Sequence, residues 1–425
     1  MLSIGAQQQR KRRALRSSAM EPDNRAQAAD SALENGGAKS PRGLGKITNS
    51  VSPVGTTPRA ARSASRAKSL PLGESRRVSN WRLLDEVRPI SSPRTRACRR
   101  RRISPTVQLQ RRSDGSKRVS GVLSCGSVWA CPVCAQRICS HRADELKSVL
   151  EDHTKRGSGC ATMLTLTIRH QNGDDLVEQR KGLADAHRRL WQGKGGKKLR
   201  ALLNVKHSVR ALEVTHGPNG WHSHTHSLLL GNQPPEPEAL DYLKQRWMQV
   251  VEKALGPEHA PNWDRGATLV SAKGSTYLAK LGLEISHGQT KEGREGHRTP
   301  WQIAQDAAAG DEESKTLWKY YCRAMKGARQ LNWSRGMRRF FGLGLRDSDA
   351  AVVEADDASK GTLIAEWDGA DWDACARADP LWVSRVALVE DYELEGLPRA
   401  RRFAPVEDFS APDVEAGSAP AQEDL

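Results

Sequence analysis

Alternating hydrophobic and polar positions mark extended segments in the middle of this 425-residue chain. Residues 162–169 are β-branched or apolar without Gly or Pro, residues 208–215 alternate with a period of two, and residues 221–230 end in an apolar run. Because strand side chains point to opposite faces in turn, each pattern predicts a β-strand. A short strand is also predicted near 266–270.

Apolar residues at helical spacing separate these strands. The spacing predicts helices over 174–190, from about 238 to 255, and from about 273 to 283, whereas the Gly/Lys-rich segment 193–198 is predicted to be a loop. The order β-α-β-β-α-β-α predicts an α+β fold, a small antiparallel sheet with helices packed on one face.

The two longest strands carry a candidate metal site. With residues 218–219 at the tip of an antiparallel hairpin, Glu213 lies opposite His224. His222, His224 and His226 occupy alternate positions and therefore share one face with Glu213. Nitrogen and oxygen ligands without a thiolate suit Mg²⁺, Mn²⁺ or Zn²⁺. The alternative is a solvated, His-rich strand that holds no metal.

The eight cysteines supply a second group of candidate ligands. Three of them lie close together and include a CPxC knuckle, a turn that lets two thiolates reach one metal: Cys125, Cys131 and Cys134. Cys98 is the preferred fourth ligand, and Cys139 and His141 compete for that place. This clustering predicts a structural zinc site rather than a disulfide framework. The alternative is a set of reduced core thiols.

The predicted helix at 273–283 places Tyr277 and Lys280 three positions apart, on neighbouring parts of one face, with Glu284 two turns beyond the tyrosine. A cation beside a phenol favours the phenolate, so Tyr277 is a candidate nucleophile. The same spacing, taken alone, also describes an ordinary amphipathic helix.

The net charge of +17 is unevenly distributed. Residues 1–120 hold 27 basic against 8 acidic residues, residues 121–346 hold 34 against 22, and residues 347–425 hold 6 against 20. The basic surplus predicts a polyanionic partner, which the acidic end of the chain would oppose. No apolar run is long enough to cross a membrane and no signal peptide is recognisable, so we expect a soluble, cytoplasmic protein.

In combination, these motifs resemble the HUH endonuclease superfamily and, within it, the rolling-circle replication initiators (Rep proteins) of bacterial plasmids. The resemblance spans about residues 95–345. It rests on four motifs in the family's order, 125–134, 164–167, 221–226 and 277–280, and two downstream stretches also look like the family pattern, 297–303 and 329–336.

The resemblance implies an HUH-type (RRM-like) fold in which His224 and His226 bind a metal, Tyr277 is the nucleophile and Lys280 is its basic partner. Glu213 is predicted as third metal ligand from the hairpin register. Two positions depart from the family pattern: Thr225 replaces a bulky apolar residue between the paired histidines, and Lys273 replaces an acidic residue used at termination in some initiators. Glu284 is our candidate replacement for that acid.

The implied chemistry is Mg²⁺- or Mn²⁺-dependent nicking of single-stranded DNA at a plasmid double-strand origin in the bacterial cytoplasm. It forms a 5′-phosphotyrosine intermediate and a 3′-hydroxyl primer, and the strands are rejoined later. The expected partners are DNA, a host helicase and a polymerase. Three basic residues near aromatic side chains are expected to contact DNA: Arg335, Arg338 and Arg339.

The predicted domain organisation follows from composition and motifs. A disordered basic tail is predicted for 1–90, a Cys-rich zinc module for 91–150, a nicking domain with a helical extension for 151–346, and an acidic, partly disordered region for 347–425. Two alternative functions share these features. One is an HUH transposase, and the other is a non-catalytic, zinc-containing DNA-binding regulator.

Overall fold

The computed structural model describes residues 76–156, 159–271, 296–358 and 361–403. Its helices are α1 (Arg76–Val87), α2 (Pro93–Arg96), α3 (Pro132–Lys155), α4 (Leu176–Leu190), α5 (Gly193–Leu202), α6 (Ala239–Leu255), α7 (Pro300–Ala308), α8 (Glu312–Ala324), α9 (Met337–Phe340), α10 (Asp349–Ala358), α11 (Gly369–Ala378) and α12 (Trp382–Leu388). Within these ranges no helix is long and apolar enough to span a membrane.

The strands form two antiparallel sheets. They are β1 (Thr106–Arg111), β2 (Lys117–Ser120), β3 (Cys160–Thr167), β4 (His207–Gly217), β5 (Gly220–Gly231), β6 (Ala267–Ser271), β7 (Leu331–Trp333), β8 (Thr362–Asp368) and β9 (Arg401–Arg402). The central sheet has the order β6-β3-β5-β4-β7, and the second sheet has the order β2-β1-β8-β9. The predicted α+β class is therefore confirmed.

The β4–β5 hairpin has the register that its turn predicts. Gly217 pairs with Gly220, and Glu213 pairs with His224. Gly220 adopts a φ of +82°, in the left-handed region that glycine enters without steric cost. This register places the candidate ligands in the middle of the sheet, because β5 is its central strand.

One face of the central sheet is covered by α4, α5 and α6. Leu164 and Leu229 of the sheet pack in one core with Leu183 of α4 and with Leu243 and Trp247 of α6. Helix α4 begins where the Asp175 side chain accepts hydrogen bonds from two backbone N–H groups of its first turn, a standard N-cap.

Helices also pack on the opposite face, so the prediction of helices on one face alone is wrong. Val149 of α3 and Met337 of α9 share a core with Met163, Val209 and Leu228, which alternate with the residues facing α4 and α6. The near-continuous apolar run at the end of β5 is the physical reason, because a strand covered on both faces needs apolar residues at successive positions.

The segment 193–198, predicted as a loop, lies in α5. Four of the ten residues of this helix are Lys or Arg, and its Leu199 is fully buried in the core beneath α6. Burial of the apolar side of the helix outweighs the low helix propensity of its glycines.

The second sheet joins segments that are far apart in sequence. Strand β1, from the Cys-rich region, pairs with β8, from the acidic region, through Val107 and Trp367 among others. The core beneath this sheet contains three mutually packed tryptophans: Trp367, Trp372 and Trp382. The acidic region thus contributes strands and helices to the fold of the Cys-rich region.

The element bounds differ from the predicted domain bounds. Helix α1 begins at Arg76, inside the predicted basic tail, and buries Leu84 and Val87 completely. Helix α3 continues across the predicted boundary at 150. These helices are continuous because their apolar faces are covered by chain from other regions.

Candidate active site and metal centres

The carboxylate of Glu213 lies between two imidazoles on the central sheet. Its Oε2 atom is 2.9 Å from the Nε2 of His224 and 2.9 Å from the Nε2 of His226. The three residues form a group whose ligand atoms are close enough to hold one metal ion, and each residue is partly exposed. Two neutral nitrogens and an anionic oxygen are the donor set of a divalent cation with open positions for substrate oxygens.

Backbone register brings the three side chains together. Glu213 is directly opposite His224, and Ala211 is directly opposite His226, so the carboxylate reaches both rings from the neighbouring strand. Thr225 points to the other face, where its hydroxyl lies 3.2 Å from the buried Nε2 of His187. Thr225, the residue that departs from the family pattern, therefore lies on the face of the sheet opposite the metal ligands.

The hydroxyl of Thr165 orients one of the rings. Its Oγ1 atom is 3.0 Å from the Nδ1 of His226, across the β3–β5 pairing. If the ring nitrogen donates to this hydroxyl, the Nε2 of His226 keeps its lone pair for a cation. The Nδ1 of His224, in contrast, is buried and has no hydrogen-bond partner among the described residues.

His222 lies beside this group but is not part of it. Its ring stacks on His170 at a centroid distance of 4.6 Å and lies 4.9 Å from the ring of His224. Burial, followed by the neighbouring imidazoles of His224, His170 and His297, lowers the pKa of His222 to about 3. The ring is therefore neutral at physiological pH, and its role as a metal ligand remains a prediction.

Sequence reasoning missed the side chains that surround the hairpin. Thr165 lies on the same face of β3 as Met163 and directly opposite His226 of β5. The alternation of side chains, applied to β3 as well as to the hairpin, would therefore have placed Thr165 beside His226. The ring of His297 lies against Gly217, where any Cβ atom would collide with it. No local pattern predicts that contact, because 79 residues separate the two positions in the sequence.

The four cysteines predicted as zinc ligands form a single buried group: Cys98, Cys125, Cys131 and Cys134. The Sγ atom of Cys98 is 3.6 Å from that of Cys134 and 3.7 Å from that of Cys131, and the Sγ atoms of Cys125 and Cys134 are 3.7 Å apart. Four sulfurs arranged tetrahedrally around zinc at about 2.3 Å would be about 3.8 Å apart. The sulfur positions therefore fit a tetrahedral metal site.

Backbone amides and burial support the same interpretation. The N–H of Cys125 donates to the sulfur of Cys98 at 3.4 Å, and the N–H of Cys134 donates to the sulfur of Cys131 at 3.5 Å. Burial raises the pKa of the Cys131 thiol well above its ordinary value, so four thiolates in this space need a cation to balance their charge.

The competing fourth ligands are engaged elsewhere. The sulfur of Cys139 lies 3.6 Å from the side-chain oxygen of Gln330, and the Nε2 of His141 lies 3.7 Å from Glu145. Of the three candidates, Cys98 is the one that the fold brings to the other cysteines.

The predicted nucleophile and its neighbours lie outside the described residues. This applies to Tyr277, Lys280 and Glu284, and also to Lys273. Their roles remain predictions from the sequence.

The three arginines predicted to contact DNA differ in their surroundings. Arg335 and Arg339 are exposed. Arg338 donates to Glu145 at 2.7 Å, and its guanidinium carbon lies 5.4 Å from the ring centroid of Trp333. Arg338 therefore already makes contacts within the protein, and binding a DNA phosphate would compete with them.

Comparisons with known proteins match the chain to one family and to several relatives. A family model described as "Replication protein" matches residues 116–373, which include the Glu213 group and three of the four clustered cysteines. A Streptomyces lividans protein named "Protein rep" is 29% identical over an alignment of 335 positions, gaps included, and the match covers 62% of this chain and 72% of that protein. No solved structure matches.

Two further relatives cover less of the chain. A "Protein rep" from Lentilactobacillus hilgardii is 25% identical over an alignment of 252 positions, and the match covers 56% of this chain and 74% of that protein. A "Neomycin resistance protein" from Streptomyces cyanogenus is 27% identical over an alignment of 229 positions, and the match covers 44% of this chain and 52% of that protein.

Proposed function

This chain belongs to the replication protein family, and from that premise we propose that it initiates rolling-circle replication of a plasmid. The proposed step is the nicking of one DNA strand at the origin, beside a divalent cation held by Glu213, His224 and His226. The observation that carries this proposal is the convergence of both Nε2 atoms on one carboxylate oxygen, each at 2.9 Å.

The residues of the site divide the work of strand cleavage. Glu213, His224 and His226 would hold Mg²⁺ or Mn²⁺, which would supply Lewis-acid polarisation of the scissile phosphate. Glu213 lowers the charge of the cation site and orients both rings, and Thr165 holds His226 with its Nε2 directed to the site. His222 and His170 stack on each other beside this group, and they would limit the space through which the DNA strand reaches it.

Tyr277 is the proposed nucleophile. Its phenol oxygen loses a proton and forms a bond to phosphorus, while the bond from phosphorus to the 3′-oxygen breaks and that oxygen takes up a proton. The product is a 5′-phosphotyrosine and a 3′-hydroxyl that primes a polymerase. Lys280 favours the phenolate, and Glu284 is the proposed acidic residue at termination. The covalent link conserves the phosphodiester bond energy, so rejoining needs no nucleotide.

The remaining features support an HUH-type nicking domain next to a zinc module. The histidine pair lies on the central strand of a five-stranded antiparallel sheet with the order β6-β3-β5-β4-β7. The sulfur–sulfur distances of 3.6–3.7 Å suit Zn²⁺ at the four cysteines. We propose DNA as the substrate, a host helicase and polymerase as partners, and the bacterial cytoplasm as the site of action.

The test is the formation of a covalent protein–DNA adduct. Purified full-length protein is incubated with Mn²⁺ and single-stranded DNA from the origin of its plasmid, and adducts are detected by denaturing gel electrophoresis. We expect an adduct with the wild type and with Tyr242→Phe, whose hydroxyl donates to the carbonyl of Gly195 on the outer helices. Tyr277→Phe and Glu213→Gln should form none.

Specific DNA binding without any adduct from the wild-type protein would contradict the proposal. That outcome would favour the non-catalytic zinc-containing regulator. An adduct that forms at transposon ends but not at a plasmid origin would instead favour the transposase.

A further inference from the structure

A wide groove separates the Cys-rich region from helix α8. One wall contains residues 91–95 and 125–130, and the other contains exposed positions of α8 and the loop that follows it. Its volume is about 1540 Å³, larger than the roughly 300–1,000 Å³ of ordinary small-molecule pockets. The groove therefore has room for a segment of a polymer.

Positive charge dominates the lining. It has six basic residues: Arg94, Lys319, Arg323, Lys326, Arg329 and Arg346. The two carboxylates of the lining are Asp347 and Asp349, and the second of these is ion-paired with Arg142 at 2.5 Å. The net charge of the groove is thus strongly positive.

Most of these cations have no acidic partner in the part of the chain that the structure describes. Among the described residues, no carboxylate lies within ion-pair distance of Lys319, Arg323, Lys326 or Arg329. In contrast, Lys315 on the same helix is paired with Glu312 at 2.7 Å. Cations that carry no internal ion pair can neutralise phosphates without breaking an existing interaction.

The groove has a partly apolar floor and a fixed shape. Trp129, half-buried in the lining, donates from Nε1 to the carbonyl of Ala328 at 2.8 Å, which ties the Cys-rich wall to the opposite loop. Leu317 and the half-buried ring of Tyr320 complete the apolar surface. Aromatic and apolar surface beside a basic track is the arrangement that binds single-stranded nucleic acid, in which bases stack and phosphates pair with cations.

The groove also lies against the hairpin that carries the candidate metal ligands. The Tyr320 hydroxyl donates to Asp175 at 2.8 Å, and its ring centroid is 6.1 Å from that of Trp221, the residue before His222. Trp221 points to the face of β5 opposite His222, His224 and His226, so a strand bound in the groove would have to pass around the end of the hairpin to reach the histidines.

We propose that the groove between residues 125–130 and helix α8 binds the single-stranded DNA that extends from the nick site. This inference rests on the proposed function, because it takes its ligand from that function. The zinc module is then one wall of the DNA track in addition to being a folding unit.

The experiment measures DNA affinity of the full-length protein. The probe is a fluorescein-labelled oligothymidylate of about 20 nucleotides, longer than the ~4–16 nucleotides that one single-strand-binding fold covers. Fluorescence anisotropy gives Kd at several salt concentrations for the wild type and for the triple variant Lys319→Gln/Arg323→Gln/Lys326→Gln. These side chains are exposed, so the variant should fold, which circular dichroism verifies.

A matched control removes the same charge elsewhere. The variant Lys194→Gln/Lys197→Gln/Arg200→Gln changes three exposed cations on α5, outside the groove. We expect the groove variant to raise Kd roughly tenfold and to lower the slope of log Kd against log salt by about 2, near 0.7 per lost phosphate contact. The control should shift both quantities less.

Two results would overturn the proposal. One is equal loss of affinity in the groove variant and the control, which would indicate diffuse attraction to a basic surface. The other is unchanged DNA binding together with lost affinity for a peptide of residues 403–425, which carries six acidic and no basic residues, because the groove would then hold the acidic end of the chain.

Adduct formation by the same proteins separates this inference from the proposed function. If the groove variant still forms the Tyr277 adduct at saturating DNA but binds the oligonucleotide weakly, both ideas stand. If the wild type forms no adduct, the proposed function fails, while the comparison of affinities still decides whether the groove holds DNA.

Discussion

At the scale of single residues, the site depends on which nitrogen of each ring faces the cation. Thr165 is the described side chain that hydrogen-bonds the far nitrogen of His226, at 3.0 Å. Partners of this kind fix the tautomer and orientation of a metal-binding imidazole.

We therefore predict that Thr165→Val weakens Mn²⁺ binding about 10–100-fold. Valine keeps the β-branched shape that suits a strand, but it cannot hold the Nδ1 of His226. Isothermal titration calorimetry with Mn²⁺ measures the effect. The control is Thr167→Val, because that hydroxyl donates to the carbonyl of Arg265 at 2.9 Å. Equal affinities for Thr165→Val and the wild type would show that Thr165 does not orient the ligand.

Behind the site, burial of His187 links stability to pH. Burial, with a smaller effect of Arg210, lowers the pKa of His187 well below its ordinary value. The folded chain therefore keeps this ring neutral, whereas the unfolded chain protonates it below about pH 6.5. Its contribution to stability is complete above that pH and is lost as the pH falls.

We expect His187→Gln to reduce this acid sensitivity. Glutamine does not titrate, and its amide can hydrogen-bond the hydroxyl of Thr225, which lies 3.2 Å from the imidazole. The free energy of unfolding, measured by urea denaturation between about pH 8 and pH 5, should fall less steeply in the variant. One titrating group changes the slope by at most about 1.4 kcal/mol per pH unit. Parallel curves for the two proteins would refute the prediction.

At the scale of elements, local signals predicted the hairpin and its site. The Gly217–Gly220 turn fixed the register, and the register alone brought Glu213 to His224. The predicted strands and helices around it agree with β3, α4, α6 and β6 to within about three residues. Such elements are predictable because their apolar period is contained within one short segment.

Other elements depend on distant partners and could not be predicted from local patterns. Strand β1 is completed by β8, with Val107 opposite Trp367, 260 positions away in the sequence. Helix α1 has an arginine-rich sequence, but its Leu84 packs in a core with Cys98 and Trp382. The neighbouring residues in the sequence do not predict either contact, because packing against distant parts of the chain stabilises these elements.

The start of helix α3 connects this core to the cysteine group. Cys131 is the N-cap residue, and its sulfur accepts a hydrogen bond from the N–H of Cys134 at 3.5 Å. Removing one sulfur should therefore release the metal and loosen the first turn of the helix.

We predict that Cys98→Ser abolishes a stoichiometric zinc ion and lowers the free energy of unfolding by at least about 3 kcal/mol. This is a fraction of the roughly 10–16 kcal/mol with which structural zinc sites bind. Elemental analysis and urea denaturation measure both quantities. Cys139→Ser is the matched control, because Cys139 is buried but contacts Gln330 instead of the cluster. Full zinc content in Cys98→Ser would exclude Cys98 as a ligand.

At the scale of the whole molecule, the acidic part of the chain neutralises the basic Cys-rich region. The comparisons confirm the family resemblance, from which we expected DNA to balance the basic surplus. Part of that surplus is instead balanced by carboxylates of the same chain. Among the described residues, ion pairs join the two regions at five carboxylates: Asp349, Asp356, Asp357, Asp373 and Asp391. In the proposed groove, by contrast, Lys319, Arg323, Lys326 and Arg329 have no such partner in the described part of the chain, so their charge is available for a phosphate.

One of these ion pairs is buried. Arg99 and Asp357 lie 2.9 Å apart, with 3% and 19% of their side chains exposed. Asp357 also accepts hydrogen bonds from Ser124 and Arg137, so a single carboxylate joins three positions of the Cys-rich region to helix α10. Removing the carboxylate charge would take from the buried guanidinium of Arg99 its ion-pair partner.

Asp357→Asn should consequently lower the free energy of unfolding by about 3–5 kcal/mol, the usual cost of breaking a buried pair by changing one partner. Asp152→Asn is the control: its pair with Arg156 is exposed, with side-chain exposures of 39% and 50%, and should contribute less than about 1 kcal/mol. Urea denaturation at low salt measures both changes. The zinc content of Asp357→Asn should also fall if the loosened region includes Cys98, the residue next to Arg99. A change no larger than that of the control would mean that the acidic region is attached mainly by its buried tryptophans.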